Sequence, residues 1–254
     1  MAKHTCAICG AEVGLMSEQK LADGNFICRK VCSKKTFKAM DKVAATLDDV
    51  TSHLEQIEKG TRIWNELLAP LKKAANKEEK LREVHGFKNN LCYVSPSTGL
   101  LALVETRYKF FIFGATPYAC VYRVADLYGY EYECETSRNS EGKEVQTHFV
   151  TLQFRNTSGL YAPRLEIGSA SDFSNMEKYF NELFGIQKTL RNSVNNAKRQ
   201  LSGIKAAVGA VKGAMDGTLD EAKAAEAANL MDASVYGDRT EWIAKADKAL
   251  AAYK

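Results

Sequence analysis

The stretch Cys6-Ala7-Ile8-Cys9-Gly10, answered by Cys28-Arg29-Lys30-Val31-Cys32, decides how the front of this chain folds. Two residues separate the first pair of cysteines, eighteen residues follow, and three separate the second pair. Thiolates in two close pairs are what a tetrahedral Zn(II) ion needs, because each pair grips the metal from one tight loop. Gly10 directly follows Cys9, where backbone amides must turn back toward sulfur. Asp23-Gly24 between the pairs reads as a hairpin turn that returns Cys28 to the side of Cys6. A strand ending on Cys28 and a helix starting at Cys32 give a treble-clef-like zinc ribbon, with Cys6, Cys9, Cys28 and Cys32 as ligands of a structural Zn2+. The basic run from Ser33 to Lys42 reads as the first turns of that helix.

The ribbon is too small to bury a core alone, so metal binding would supply its folding free energy, about 10–16 kcal/mol for such sites. Removing the metal is then expected to unfold this segment and leave later domains standing.

With 254 residues the chain has room for more than one unit, and its apolar content of 45% is that of a globular protein. A net charge of +4 argues neither for nor against nucleic acid. Of seven cysteines, four go to the metal, leaving Cys92, Cys120 and Cys134 in strand-like apolar stretches as expected core residues. That usage fits a reducing, cytoplasmic compartment. Met1 to His4 leads straight into the metal motif with nothing like a signal peptide, and no apolar run is long enough to span a membrane.

Thr46-Leu47-Asp48-Asp49 is a capping box opening a helix through Val50, Leu54 and Ile57, with Lys59-Gly60 as its expected stop. A second helix is expected from Thr61 through Trp64, Leu67 and Leu68 to Pro70. The charged run Lys72 to Glu83 reads as a solvated helix or tether. From Phe87 the pattern turns to short aromatic and β-branched runs. Strands are expected at Leu91–Val94, Leu100–Glu105, Tyr108–Phe113 and Ala119–Val124. On the next, Tyr128, Tyr130, Tyr132 and Cys134 share one face, and Glu131, Glu133 and Glu135 the other. After a polar loop from Thr136 to Glu144 come a strand with Val150, Leu152 and Phe154 and a last one with Leu165 and Ile167. Ser171 or Asp172 then caps a helix burying Phe173, Met176, Phe180 and Leu183. About seven strands and one helix predict an α+β fold, a small antiparallel barrel or sandwich with a helical plug.

The motif Cys6-Ala7-Ile8-Cys9-Gly10, the turn Lys20-Leu21-Ala22-Asp23-Gly24 and the helix start Thr46-Leu47-Asp48-Asp49-Val50 resemble an uncharacterised family of small bacterial proteins. In that family a zinc ribbon precedes a domain similar to a pleckstrin-homology (PH) fold. The resemblance covers roughly the first three quarters of the chain. The family's second cysteine pair usually encloses two residues, and here Cys28 and Cys32 enclose three. The resemblance implies a binding or adaptor role and transfers no catalytic residue. The domain organisation expected is therefore a zinc ribbon over 1–42, a helical linker over 43–85, a PH-like β domain over 86–185 and a helical tail over 186–254.

In the tail, Leu190, Val194, Ala197, Leu201, Ile204, Val208, Val211 and Met215 alternate steps of four and three, a heptad-like seam. Lys188, Arg191, Lys198, Arg199, Lys205 and Lys212 accompany it without an acid. With neither Trp nor Phe on its apolar face, this helix is expected to pack on another helix, within the chain or in a homo-oligomer. Thr218 caps a further helix over Leu219–Ala233. A last one with Trp242, Ile243, Ala246 and Leu250 is expected to fold back with it on the seam as a small helical hairpin bundle.

His4, His53, His85 and His148 lie in unlike contexts, and His53 is expected to face solvent. No nucleophile elbow, phosphate-cradling glycine loop or metal-binding His-Glu helix is present. The chain is therefore read as no enzyme but a binding or adaptor protein with a protein partner. Two alternatives stand beside that. One is a nucleic-acid- or ribosome-associated factor using Lys34, Lys35 and Lys38 beside the ribbon and Lys188, Arg191, Lys198, Arg199 and Lys205 in the tail. The other is reversible contact with a membrane surface through the β domain and the basic helix.

Overall fold

The computed structural model describes residues 3–110, 113–184 and 238–253. At the front, β1 (His4–Thr5) pairs with β2 (Glu12–Val13), and β3 (Glu18–Lys20) pairs with β4 (Phe26–Cys28), both antiparallel. Gly24 takes φ +84° in the turn joining β3 to β4, and the Asn25 N–H donates to Asp23 Oδ1 at 3.1 Å. Cys32 opens α1 (Cys32–Lys35), which ends because Thr36 is extended. The basic run therefore does not continue as a helix to Lys42. The chain leaves the helix at Thr36 and turns instead, burying Phe37, Ala39 and Met40.

The capping box closes as expected on α2 (Leu47–Ile63): Asp49 N–H donates to Thr46 Oγ1 at 3.2 Å and Thr46 N–H to Asp49 Oδ2 at 2.9 Å. The helix does not stop at Gly60. Gly60 lies against the backbone of β8 (Phe113–Arg123), where a Cβ would collide with the Ala119 carbonyl and meet the Val121 nitrogen at 3.0 Å. The hydroxyl of Thr61 accepts the Ala119 N–H at 3.1 Å. β8 is the outer strand of its sheet, so α2 covers an edge that would otherwise offer free N–H and C=O groups. The helix then widens into a π turn (Trp64–Leu68) and re-tightens as α3 (Ala69–Leu71). The wide turn spares the ring of Pro70 its clash with the carbonyl four residues back. One bent rod replaces the two helices expected. The run from Lys72 onward makes exposed turns rather than a helix, and its end joins β5 (Arg82–Val84).

Seven strands follow in two antiparallel sheets, and no closed barrel forms among the described residues. The first sheet has the order β5-β6-β7-β8, with β6 at Leu91–Ser95 and β7 at Leu100–Phe110. The second has the order β11-β10-β9, with β9 at Leu127–Arg138, β10 at Glu144–Phe154 and β11 at Arg164–Ile167. Tyr108–Phe113 is not a strand of its own: β7 runs unbroken to Phe110, which pairs with Phe113 at the start of β8. Alternation sorts the first sheet's side chains. Cys92, Val94, Leu101, Leu103, Cys120 and Tyr122 join Val150, Leu152, Phe154, Leu165 and Ile167 of the second sheet in one core. The opposite face, with Tyr93, Leu100, Ala102, Val104 and Ala119, packs on Ile63, Trp64 and Leu68.

The helix α4 (Ala170–Leu183) sends Met176 and Phe180 into the main core, with Phe173 and Leu183 packed beside them. Its cap is Ser169, not Ser171 or Asp172: Ser169 Oγ accepts the Asp172 N–H at 3.2 Å and donates to Asp172 Oδ2 at 2.8 Å. Cys92 and Cys120 are buried as expected, but Cys134 is exposed. There β9 and β10 run past β11, whose pairing covers only His148 to Thr151 of β10.

The last helix, α5 (Thr240–Leu250), docks on the β-rich body: Ala246 is buried among Ile63, Trp64 and Leu100, and Trp242 packs on the main core. Arg239, just before it, is buried, donates to the carbonyls of Ala125 and Leu127, and lies 3.8 Å from the Phe184 ring centroid. The expected seam from Leu190 to Met215 and the helix Leu219–Ala233 lie outside the described residues.

Gly→Ala inside a helix ordinarily stabilises by about 1 kcal/mol. Gly60→Ala is expected to reverse that sign and lower the urea midpoint, because β8 must move away from the new methyl group.

Candidate metal centre

The two hairpins and α1 bring the sulfurs of Cys6, Cys9, Cys28 and Cys32 within 4.8 Å of one another. Cys6 and Cys32 are 3.8 Å apart, as are Cys9 and Cys28. A tetrahedral ion with metal–sulfur bonds of about 2.3 Å sets its sulfurs about 3.8 Å apart. Two of the sulfur pairs therefore stand at the spacing of a tetrahedral site, and the four cysteines together could hold a metal ion.

Local backbone geometry produces this cluster. Gly10 takes φ +72°, and its N–H donates to the Cys6 carbonyl at 2.9 Å, closing the first knuckle. The Cys28 N–H donates to Cys6 Sγ at 3.3 Å and the Cys32 N–H to Cys28 Sγ at 3.2 Å. Such donors favour thiolate. Burial pushes the Cys6 thiol up, but the N–H groups of Cys9, Cys28 and Ile8 outweigh it and bring the value down to about 6. In Cys28 burial is likewise outweighed, first by the Cys32 N–H, and the thiol sits below its ordinary value. Cys32 is pushed up, first by burial and then by the sulfurs of Cys28, Cys9 and Cys6. Four thiolates without a cation would repel one another, so a metal would release the last proton.

Around the cluster, His4 stacks on Phe26 with ring centroids 3.8 Å apart and meets Glu18 Oε2 through Nδ1 at 2.7 Å. The cluster is fastened to the β-rich body by a charged clamp. Arg107 on β7 donates to the carbonyls of Lys34 at 2.6 Å and Thr36 at 2.9 Å, and to Glu105 Oε1 at 2.8 Å. The buried Glu105 accepts the Lys38 N–H through its other oxygen at 3.0 Å.

His53 corrects the sequence expectation most directly. It is fully buried rather than solvent-facing, because α2 turns it toward the ribbon. Its Nε2 accepts the Phe37 N–H at 3.1 Å while Nδ1 meets Gln56 Oε1 at 3.1 Å, an arrangement that fits neutral imidazole protonated on Nδ1. Burial drops its pKa to about 4. The apolar residues of the ribbon (Val13, Leu21, Ile27 and Phe37) belong to the same buried cluster as those of the two sheets.

Of the basic candidates, Lys34 and Lys35 are exposed at the end of α1, and Lys38 is exposed just beyond it. Lys188, Arg191, Lys198, Arg199 and Lys205 lie outside the described residues. The carboxylates on β9 are tied up as a surface lattice: Arg164 reaches Glu133 at 2.8 Å and Glu135 at 2.7 Å, and Gln153 donates to Glu131 at 2.8 Å.

Residues 5–53 match a family described as a domain of unknown function (DUF4428). The matched segment contains all four cysteines and ends on His53, the side chain that holds Phe37. Neither a curated protein nor a solved structure matches the chain.

Cys9→Ser or Cys28→Ser is expected to abolish stoichiometric metal binding, whereas Cys120→Ser, distant in the core, should leave metal content unchanged by elemental analysis. Arg107→Ala strands the buried Glu105 and should cost about 3–5 kcal/mol in urea unfolding. His53 gives a pH signature. An unfolded histidine protonates near about 6.5, so between that value and about 4 the unfolded chain takes up a proton that the folded chain refuses. Stability should fall by about 3 kcal/mol as pH drops through this window, and His53→Gln should flatten that part of the profile.

Proposed function

We propose that this chain is a non-enzymatic binding or adaptor protein in which a structural zinc ion shapes the N-terminal ribbon and the β-rich body presents surfaces to a protein partner. The observation that carries this reading is the closed ligand set. Four clustered thiols would fill a tetrahedral shell and leave no coordination position for a substrate, and two of their sulfur separations equal those of a Zn(II)–thiolate site. All-sulfur, tetrahedral coordination favours zinc over the oxygen-seeking divalent ions.

The treble-clef-like reading draws support from Cys28 at the end of a strand and Cys32 at the start of a helix. The PH-like reading of the body draws support from its order: four antiparallel strands, then three, then α4. The lattice formed by Arg164 with Glu133 and Glu135 favours a structural role for those carboxylates over acid–base work. Among the described residues no helix is long and apolar enough to cross a membrane.

Elemental analysis of the purified chain is expected to find about one zinc ion per chain. Affinity capture from the native host should recover a protein partner with the wild-type chain and lose it with a metal-free Cys9→Ser variant. Binding instead to RNA or DNA, tight at low salt and steeply weaker at physiological salt, would replace the adaptor reading with the nucleic-acid one.

A further inference from the structure

The ribbon carries an apolar tip that its own fold does not use. Leu15 is 73% exposed and Met16 87%, both in the turn between β2 and β3, and Val31 between Cys28 and Cys32 is 51% exposed. These two loops lie side by side. Glu18 pairs with Cys28, and the Arg29 N–H donates to the Ser17 carbonyl at 2.8 Å. The turn is braced from within: the Ser17 N–H donates to the Gly14 carbonyl at 2.7 Å, and the Gly14 N–H to Ser17 Oγ at 3.0 Å.

Cations flank this tip. Arg29 and Lys30 sit in the second loop and Lys34 and Lys35 on the adjoining α1, all exposed. None of the four forms an ion pair with a described residue, and the ribbon's own acids are engaged elsewhere, Glu12 with Lys3 and Glu18 with His4. Residues 1–42 hold eight basic and four acidic side chains, a surplus equal to the net +4 of the whole chain.

We infer that this tip docks on an anionic lipid surface, with Leu15 and Met16 entering the headgroup–acyl boundary and Arg29, Lys30, Lys34 and Lys35 meeting acidic headgroups. Leu15 and Met16 are carried at the apex of a tight turn, and a bilayer accepts such a protrusion without a matching groove, which a protein partner would have to supply. The tip is aliphatic, so it offers nucleic-acid bases no stacking platform, and a phosphate backbone gains nothing from it. Apolar insertion and headgroup attraction each contribute too little alone and reinforce each other when presented together. This goes beyond the adaptor reading: it concerns where the chain sits and stands or falls independently of any protein partner.

The test is flotation of the full-length, metal-loaded chain with phosphatidylcholine vesicles, with and without phosphatidylserine. The chain should float with the phosphatidylserine vesicles alone, and added salt should weaken the association. Leu15→Asp with Met16→Asp should reduce it by about tenfold or more, as should Arg29→Glu with Lys30→Glu, at unchanged metal content and circular dichroism. Should either pair disturb the fold, Leu15→Ser with Met16→Ser supplies the same comparison without added charge. No flotation at low ionic strength, or flotation indifferent to the Leu15 and Met16 substitutions, overturns the proposal. Capture by polyglutamate without vesicle binding also overturns it and assigns the tip to an acidic polypeptide.

Discussion

The guanidinium of Arg107 is where the sulfur-bearing hairpins and the β-rich body become a single object. It stands on β7, yet two of its donors satisfy carbonyls of the segment just after Cys32, and a third fixes Glu105. Glu105 in turn takes the Lys38 N–H. A buried carboxylate is tolerated only when charge and hydrogen bonds compensate its lost hydration, so Glu105 and Arg107 are each other's condition for being there. From the other side, His53 caps the Phe37 N–H. The segment from Thr36 to Lys38 has left α1 and entered no strand, and these contacts, not secondary structure, satisfy its backbone.

That arrangement gives α2 two tasks along one length. Its first turns, through His53, hold the ribbon. Its last turns, through Gly60 and Thr61, close the outer edge of β8. A glycine that would ordinarily weaken a helix is what lets backbone approach backbone there. The rod then bends through a π turn and lays Trp64 on Tyr93, with Lys72 over both rings.

Much of this is legible in the sequence, and the departures from it share a cause. The cysteine spacing, the Asp23-Gly24 turn and the capping box are local signals whose elements form, while the alternation finds most strands but reads a separate one at Tyr108–Phe113, where β7 ends and β8 begins. Gly60 looked like a helix stop because local propensity knows nothing of a strand edge. His53 looked solvated because its neighbours on the helix are polar, while its partner Phe37 is sixteen residues away. The clamp had left one trace. Leu101, Leu103 and Glu105 fall on one face of a strand by the two-residue period, so an acid occupies a position that the pattern marks as inward. No closed barrel forms among the described residues, because whether a sheet joins its own far edge depends on pairings between distant strands, which alternation does not encode.

Arg239 rests on Phe184, so two described residues far apart in sequence meet at one spot. The entropy of joining two fixed points by a chain segment grows only logarithmically with the segment's length. Natural lengthening or shortening of the sequence between these two residues should therefore be cheap for the rest of the molecule, whereas a change at Phe184 or Arg239 should not. Variation can thus accumulate between the two partners without rebuilding the contact that ties them.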